Sequence, residues 1–106
     1  MSTEYLTVFS AFGDAETARK AARTLVEERL AACANIVTQI ESVYHWKGKV
    51  ETGNEALVIF KTTRERYAAF EVRLRELHPY EVPEIVALEI AAGLPEYLKW
   101  ISESVG

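Results

Sequence analysis

The spacing of apolar and polar residues predicts the element order β-α-β-β-α-β-α. Alternating or continuous apolar runs predict strands at 5–12, 35–51, 56–60 and 82–90. Helical spacing predicts a helix over 15–31, a second helix that begins at a cap formed by Thr62 and ends at His78, and a third from Pro95. The residues 52–54, Thr-Gly-Asn, predict a turn between the second and third strands.

This order is typical of one fold class. A β-α-β-β-α-β unit is the ferredoxin-like split βαβ, an α+β fold with an antiparallel sheet, and here a C-terminal helix follows it. Right-handed crossovers place the strands in the order 4-1-3-2, with the first two helices on one face of the sheet. The first helix presents small residues such as Ala18 and Ala22, which let it lie close to the sheet.

Composition narrows the possible partners. The chain has 106 residues, and we expect residues 1–106 to form a single domain. A net charge of −4 without a long basic run argues against nucleic acid and anionic membrane surfaces as partners. No run approaches a membrane-spanning length and no signal-peptide pattern opens the chain, so we expect a cytoplasmic protein. The single cysteine, Cys33, excludes an intramolecular disulfide.

The second strand is too long for a domain of this size. Some 15 residues at about 3.3 Å each reach about 50 Å, whereas the radius of gyration of such a domain is about 13 Å. The overhang carries Tyr44 and Trp46 on its apolar side. Exposed strand edges and rings favour aggregation, so we expect this segment to pair with a neighbouring copy.

Two stretches resemble a known family. One is A-A-C-A-N-I at 31–36 followed by S-V-Y-H-W-K-G-K-V-E at 42–51, and the other is I-F-K-T-T-R-E-R at 59–66 followed by L-H-P-Y-E-V-P-E-I at 77–85. Together with P-E-Y-L-K-W-I at 95–101, they resemble the CutA divalent-cation tolerance family over nearly the whole chain. The resemblance implies a homotrimer, tolerance of divalent metals, chiefly copper, and no established catalytic activity. It also implies inter-subunit clefts like those in which related signalling trimers bind small effectors.

His78 is the predicted metal ligand, because a neutral imidazole suits copper and zinc. The alternative is a histidine that only stabilises the end of the second helix. The strand directions place Ser10, Asp14, Glu81 and Glu84 near His78 and place Cys33 at the opposite end of the sheet. Some family members have a cysteine where this chain has Ser10 and a histidine where it has Leu77, so a soft Cys/His copper site is weakened here.

The remaining polar candidates are weaker. Cys33 between alanines is typical of a small buried side chain, with metal or redox chemistry as the alternative. His45 lies on the polar side of the long strand, where we expect it to be solvated or at a subunit rim. Lys61 and Arg64 could hold a small anion in an inter-subunit cleft, but a solvated charge and a helix-surface residue are the more usual interpretation. The usual catalytic motifs are absent from the sequence. We therefore expect a non-enzymatic, trimeric metal-tolerance protein that requires no cofactor and binds copper or a similar divalent cation weakly, or alternatively a small-molecule sensor.

Overall fold

A computed structural model describes residues 4–106. Its elements are β1 (Tyr5–Phe12), α1 (Ala15–Glu27), β2 (Cys33–Trp46), β3 (Lys49–Thr63), α2 (Arg64–Leu77), β4 (Val86–Glu89) and α3 (Pro95–Ser104). The strands form one sheet in the order β2-β3-β1-β4, and every neighbouring pair is antiparallel. The ferredoxin-like α+β fold and the strand order predicted from the sequence are confirmed.

The core lies between the sheet and helices α1 and α2. On β1 and on residues 56–62 of β3 the even-numbered residues, such as Val8 and Phe60, face the helices and are buried. Ala18, Ala21 and Ala22 are buried on α1, which places that helix close to the sheet. The opposite side of the sheet, called here the open face, carries odd-numbered residues and is covered by α3 only near one end.

Helix α1 ends earlier than the sequence indicates. It was expected to continue to Ala31 but ends at Glu27, because Arg29 adopts a positive φ of 60°. The amide of Leu30 donates to Leu25 O and that of Arg29 to Val26 O, which is the Schellman arrangement. Glycine usually occupies the Arg29 position, so the sequence carried no stop signal there.

The hairpin between β2 and β3 turns at Lys47 and Gly48 rather than at 52–54. Both turn residues have positive φ, 51° and 81°, as a type I′ turn requires. The expected turn at 52–54 is wrong: these residues continue β3 and pair with β2. Gly53 lies beside Tyr44, and a Cβ on it would make only an ordinary contact, 3.6 Å from the hydroxyl oxygen of Tyr44.

A β-bulge redirects the outer part of β2. Val37 pairs with Leu57, but Ile40 pairs with Glu55, so two residues of β2 oppose one of β3. Before the bulge the even-numbered residues of β2 face the helices, and after it they lie on the open face. The segments 40–46 and 49–55, called here the arm, therefore present Tyr44 and Trp46 away from the helices.

Two other boundaries differ from expectation. Helix α2 is capped by Thr63, which accepts from the Arg66 amide, whereas Thr62 donates to Leu30 O. Strand β4 covers only Val86–Glu89 instead of 82–90, since Pro83 has no amide hydrogen for a ladder. On α3, Ile101 is buried, whereas Tyr97 is 42% exposed. No helix among residues 4–106 is long and apolar enough to cross a membrane.

Candidate functional site

A groove lies on the open face where β1 ends. The arm forms one wall and the segment 80–84, between α2 and β4, forms the other. Its volume is about 960 Å³. The lining residues are Ala11, Ser42, Tyr44, His45, Trp46, Glu55, Tyr80, Glu81, Val82 and Glu84.

His78 lies behind this groove and fixes the segment 80–84 to the end of β1. The structure confirms the predicted strand directions, because Nε2 of His78 lies 2.8 Å from the carbonyl oxygen of Ala11, near the end of β1. Nδ1 accepts from the amide of Tyr80 at 3.2 Å, so Nε2 carries the proton and donates. The ring stacks on Phe12 with 4.1 Å between centroids, and His78 is 6% exposed.

Burial favours the neutral form of this histidine. Desolvation lowers the pKa of His78, and the bond to Ala11 O and the charge of Glu55 oppose that effect only in part. Both ring nitrogens are already used by backbone groups, so a metal would have to replace one of them. The assignment of His78 as a metal ligand therefore stays a prediction, beside a structural role in joining β1 to the segment 78–84.

Tyr80 connects the two walls of the groove. Its hydroxyl donates to Oε2 of Glu55 on the arm at 2.8 Å. Partial burial, followed by the Glu55 carboxylate, raises the pKa of Tyr80 to about 12. The phenol consequently stays protonated and keeps donating over the physiological pH range.

Only part of the predicted ligand set reaches the groove. Glu81 and Glu84 line it and are exposed. Asp14 accepts from the Thr17 amide as the N-cap of α1, a bond that lowers the pKa of its carboxyl group. Ser10 is fully buried on the helix side of β1, and its hydroxyl has no hydrogen-bond partner among residues 4–106.

Cys33 lies at the other end of the sheet, as expected. It is partly buried, pairs across the ladder with Lys61, and its sulfur lies 3.8 Å from the hydroxyl oxygen of Tyr97. Lys61 reaches the Asn35 side chain. Arg64 forms an ion pair with Glu89 and borders a smaller cleft of about 390 Å³ that also contains Glu4 and Glu65.

Sequence reasoning missed three groove residues: Tyr44 as a wall, Glu55 and Tyr80. His45, placed on the polar side of the long strand, is exposed at the groove. The H-P-Y-E motif was a usable signal for Tyr80, since its proline ends the helix and directs the next residues across the end of β1. Among residues 4–106, no three His, Cys, Asp or Glu side chains are grouped so that they could hold a metal ion.

Comparison with known proteins places the chain in a family. Residues 6–104 match the family model described as CutA1 divalent ion tolerance protein. The divalent-cation tolerance protein CutA of Thermus thermophilus is 52% identical over 91 residues, which cover 86% of this chain and 88% of the relative.

Solved structures agree with this match. A divalent cation tolerance protein (Cut A1) from Thermus thermophilus superposes with a TM-score of 0.93 at 47% identity, covering 96% of this chain and 99% of the other. CutA from Xylella fastidiosa gives a TM-score of 0.94 at 39% identity, covering 98% and 100%. The chain belongs to the CutA1 divalent ion tolerance family.

Proposed function

We propose that this protein contributes to divalent-cation tolerance as a non-enzymatic homotrimer that binds copper or zinc weakly at the groove. Family membership supports the general role. The observation that carries the site is that the carboxylates Glu55, Glu81 and Glu84 line one groove, although no three such side chains among residues 4–106 are grouped closely enough to hold an ion by themselves. We keep the cytoplasm as the proposed location.

The donor chemistry of the groove fits borderline divalent ions. Carboxylate oxygens and a neutral imidazole are ligands for Zn(II) and Cu(II), whereas Cu(I) prefers thiolates. Cys33 lies at the opposite end of the sheet, where it pairs with Lys61. Glu81 and Glu84 are exposed, so a bound ion competes with their hydration, and binding is expected to be weak.

Calorimetric titration with Cu(II) and Zn(II) tests this site. The double substitution Glu81→Gln and Glu84→Gln should abolish the heat that specific metal binding produces. It removes two carboxylates and changes the shape of the groove little. Cys33→Ser should leave it unchanged. His78→Ala tests the prediction that His78 is itself a ligand. Binding that is lost in Cys33→Ser but kept in the carboxylate variant would refute a site at the groove.

The proposed trimer is supported by two open sheet edges. Within residues 4–106, β2 and β4 each pair with another strand on one side only. β1 runs parallel to β2 and antiparallel to β4, so in a rotational ring the β4 edge of one copy meets the β2 edge of the next in antiparallel sense. Such head-to-tail contacts close into a ring, which removes both edges.

The arm offers further surface for such contacts. Val43, Trp46 and Val50 are 66%, 58% and 64% exposed in the single chain. Sedimentation equilibrium at micromolar concentration should give three times the chain mass of 12.0 kDa. A monomer would refute the assembly and remove the reason for so long an arm.

A second candidate function is small-molecule sensing at the groove. The volume of about 960 Å³ favours it, because ligand pockets of roughly 300–1,000 Å³ are usual for small molecules, while an ion needs far less space. A thermal-shift screen of nucleotides, small anions and cations against the metal-free protein would separate this function from metal binding.

A further inference from the structure

The groove combines aromatic walls with an acidic rim. Tyr44 and Tyr80 line it and remain 44% and 39% exposed. Glu55, Glu81 and Glu84 surround them, and none of the described residues that line the groove is a lysine or arginine. We infer that the groove binds a small organic cation, an ammonium head group on an apolar body. The inference rests on the second candidate function, not on metal binding.

The Tyr80 ring is held in place before any ligand arrives. Tyr80 is fixed at its hydroxyl by Glu55 at 2.8 Å and at its backbone by His78 Nδ1 at 3.2 Å. The hydroxyl end of Tyr44 lies beside Gly53, where a Cβ would be at an ordinary contact distance of 3.6 Å from the Tyr44 oxygen. Rings that do not need ordering lose little entropy when a ligand binds between them.

Charge complementarity selects a cation among possible ligands of this size. A cation over an aromatic face is attracted by the negative face of the ring, and carboxylates nearby strengthen the same preference. The arm already shows this chemistry, since the Lys47 ammonium lies 5.6 Å from the centroid of the Trp46 ring. An anionic ligand would face three carboxylates, and no lysine or arginine is among the described lining residues.

A quaternary ammonium distinguishes this binding mode from metal coordination. Its nitrogen carries no lone pair and no hydrogen, so the head group cannot coordinate or donate and interacts only through charge and ring contact. Choline is therefore the probe, and 3,3-dimethylbutan-1-ol is its neutral counterpart of nearly the same shape. Titrations followed by NMR in chelator, with the assembly state recorded, exclude divalent ions from the result.

We expect saturable shifts with choline that perturb Tyr44 and Tyr80, and binding about tenfold weaker or undetectable with the neutral alcohol. Tyr44→Leu should weaken choline binding about tenfold, which corresponds to about 1.4 kcal/mol. Tyr97→Leu, a similarly exposed tyrosine on α3, should leave it unchanged. Glu84→Gln should weaken binding, and Glu96→Gln on α3 should not.

Three results would overturn the inference. Equal binding of the alcohol would show an apolar groove without cation selectivity. No choline binding would exclude this ligand class, while the calorimetric and sedimentation tests above still decide metal binding and assembly. Choline binding that survives Tyr44→Leu and Glu84→Gln but fails in Tyr97→Leu would place the site at the other end of the sheet.

Discussion

Replacing His78 separates a structural role of this residue from a purely metal-binding role. In metal-free protein, His78→Ala should lower the free energy of unfolding by about 3–5 kcal/mol. Leaving the buried carbonyl of Ala11 unpaired costs about 1–3 kcal/mol. Loss of the ring stacked on Phe12 at 4.1 Å leaves a cavity that adds a cost on the order of 2 kcal/mol.

His78→Phe divides this cost into its parts. It keeps a ring beside Phe12 and removes both hydrogen bonds, so about 1–3 kcal/mol should be lost. His45→Ala is the matched control: this exposed histidine should change stability by less than about 0.5 kcal/mol. Denaturant unfolding in EDTA, at one protein concentration, measures all three. Metal-free stability unchanged in His78→Ala would refute the structural role.

The pH dependence of stability gives a second readout of the same residue. Because burial lowers the pKa of His78, the unfolded chain takes up a proton at higher pH than the folded chain does. The stabilisation is fully present above the unfolded pKa of about 6.5 and is lost as the pH falls below it. The slope between pH 7 and 5.5 should disappear in His78→Phe and persist in His45→Gln. A slope that persists in His78→Phe would assign it to other groups.

Three further predictions concern the core, a helix cap and the arm. Ser10→Ala should stabilise the protein by about 1 kcal/mol, because it removes a buried hydroxyl that has no partner among residues 4–106. Thr62→Val should destabilise it by about 1 kcal/mol, because the hydrogen bond to Leu30 O is lost. Urea unfolding measures both, and a destabilised Ser10→Ala would mean that the hydroxyl has a partner in solution. Asp14→Ala should cost about 1 kcal/mol in thermal unfolding as α1 loses its N-cap, and an unchanged stability would show that the cap is dispensable. Trp46→Ala should weaken assembly by roughly 3–5 kcal/mol per site if neighbouring copies bury the ring. Val72→Ala on α2, where the side chain is 61% exposed, should leave assembly unchanged. Sedimentation profiles of Trp46→Ala that match the wild type would show that Trp46 stays exposed.

The fold could be predicted because its signals are local and repeated. Alternation in 5–12 and helical spacing in α1 and α2 each report a half-buried element, and the order of elements then leaves one usual topology. The errors occurred where the signal is a single backbone conformation. Arg29 ends α1 at a positive φ without glycine, and Lys47–Gly48 forms the turn although 52–54 has the stronger turn composition.

The candidate site was harder to predict than the fold. Strand direction alone placed His78 and Cys33 at opposite ends of the sheet, which the structure confirms. Whether a polar side chain near the end of β1 reaches the groove depends on local hydrogen bonds. Asp14 is used as a helix cap and Ser10 faces the core, while Glu55 enters from the middle of a strand.

The bulge in β2 links the fold to the proposed ligand chemistry. Without the extra residue between Val37 and Ile40, the even-numbered residues of the arm would stay on the side of the helices, and Tyr44 would face away from Tyr80. One inserted residue thus moves the aromatic side of the arm to the open face. There it meets the segment 80–84. Two hydrogen bonds fix the course of that segment, one from His78 to the carbonyl of Ala11 on β1 and one from Tyr80 to Glu55. The same arm can then supply both a wall of the groove and a surface for a neighbouring copy, so changes in assembly and in ligand binding should be coupled through it.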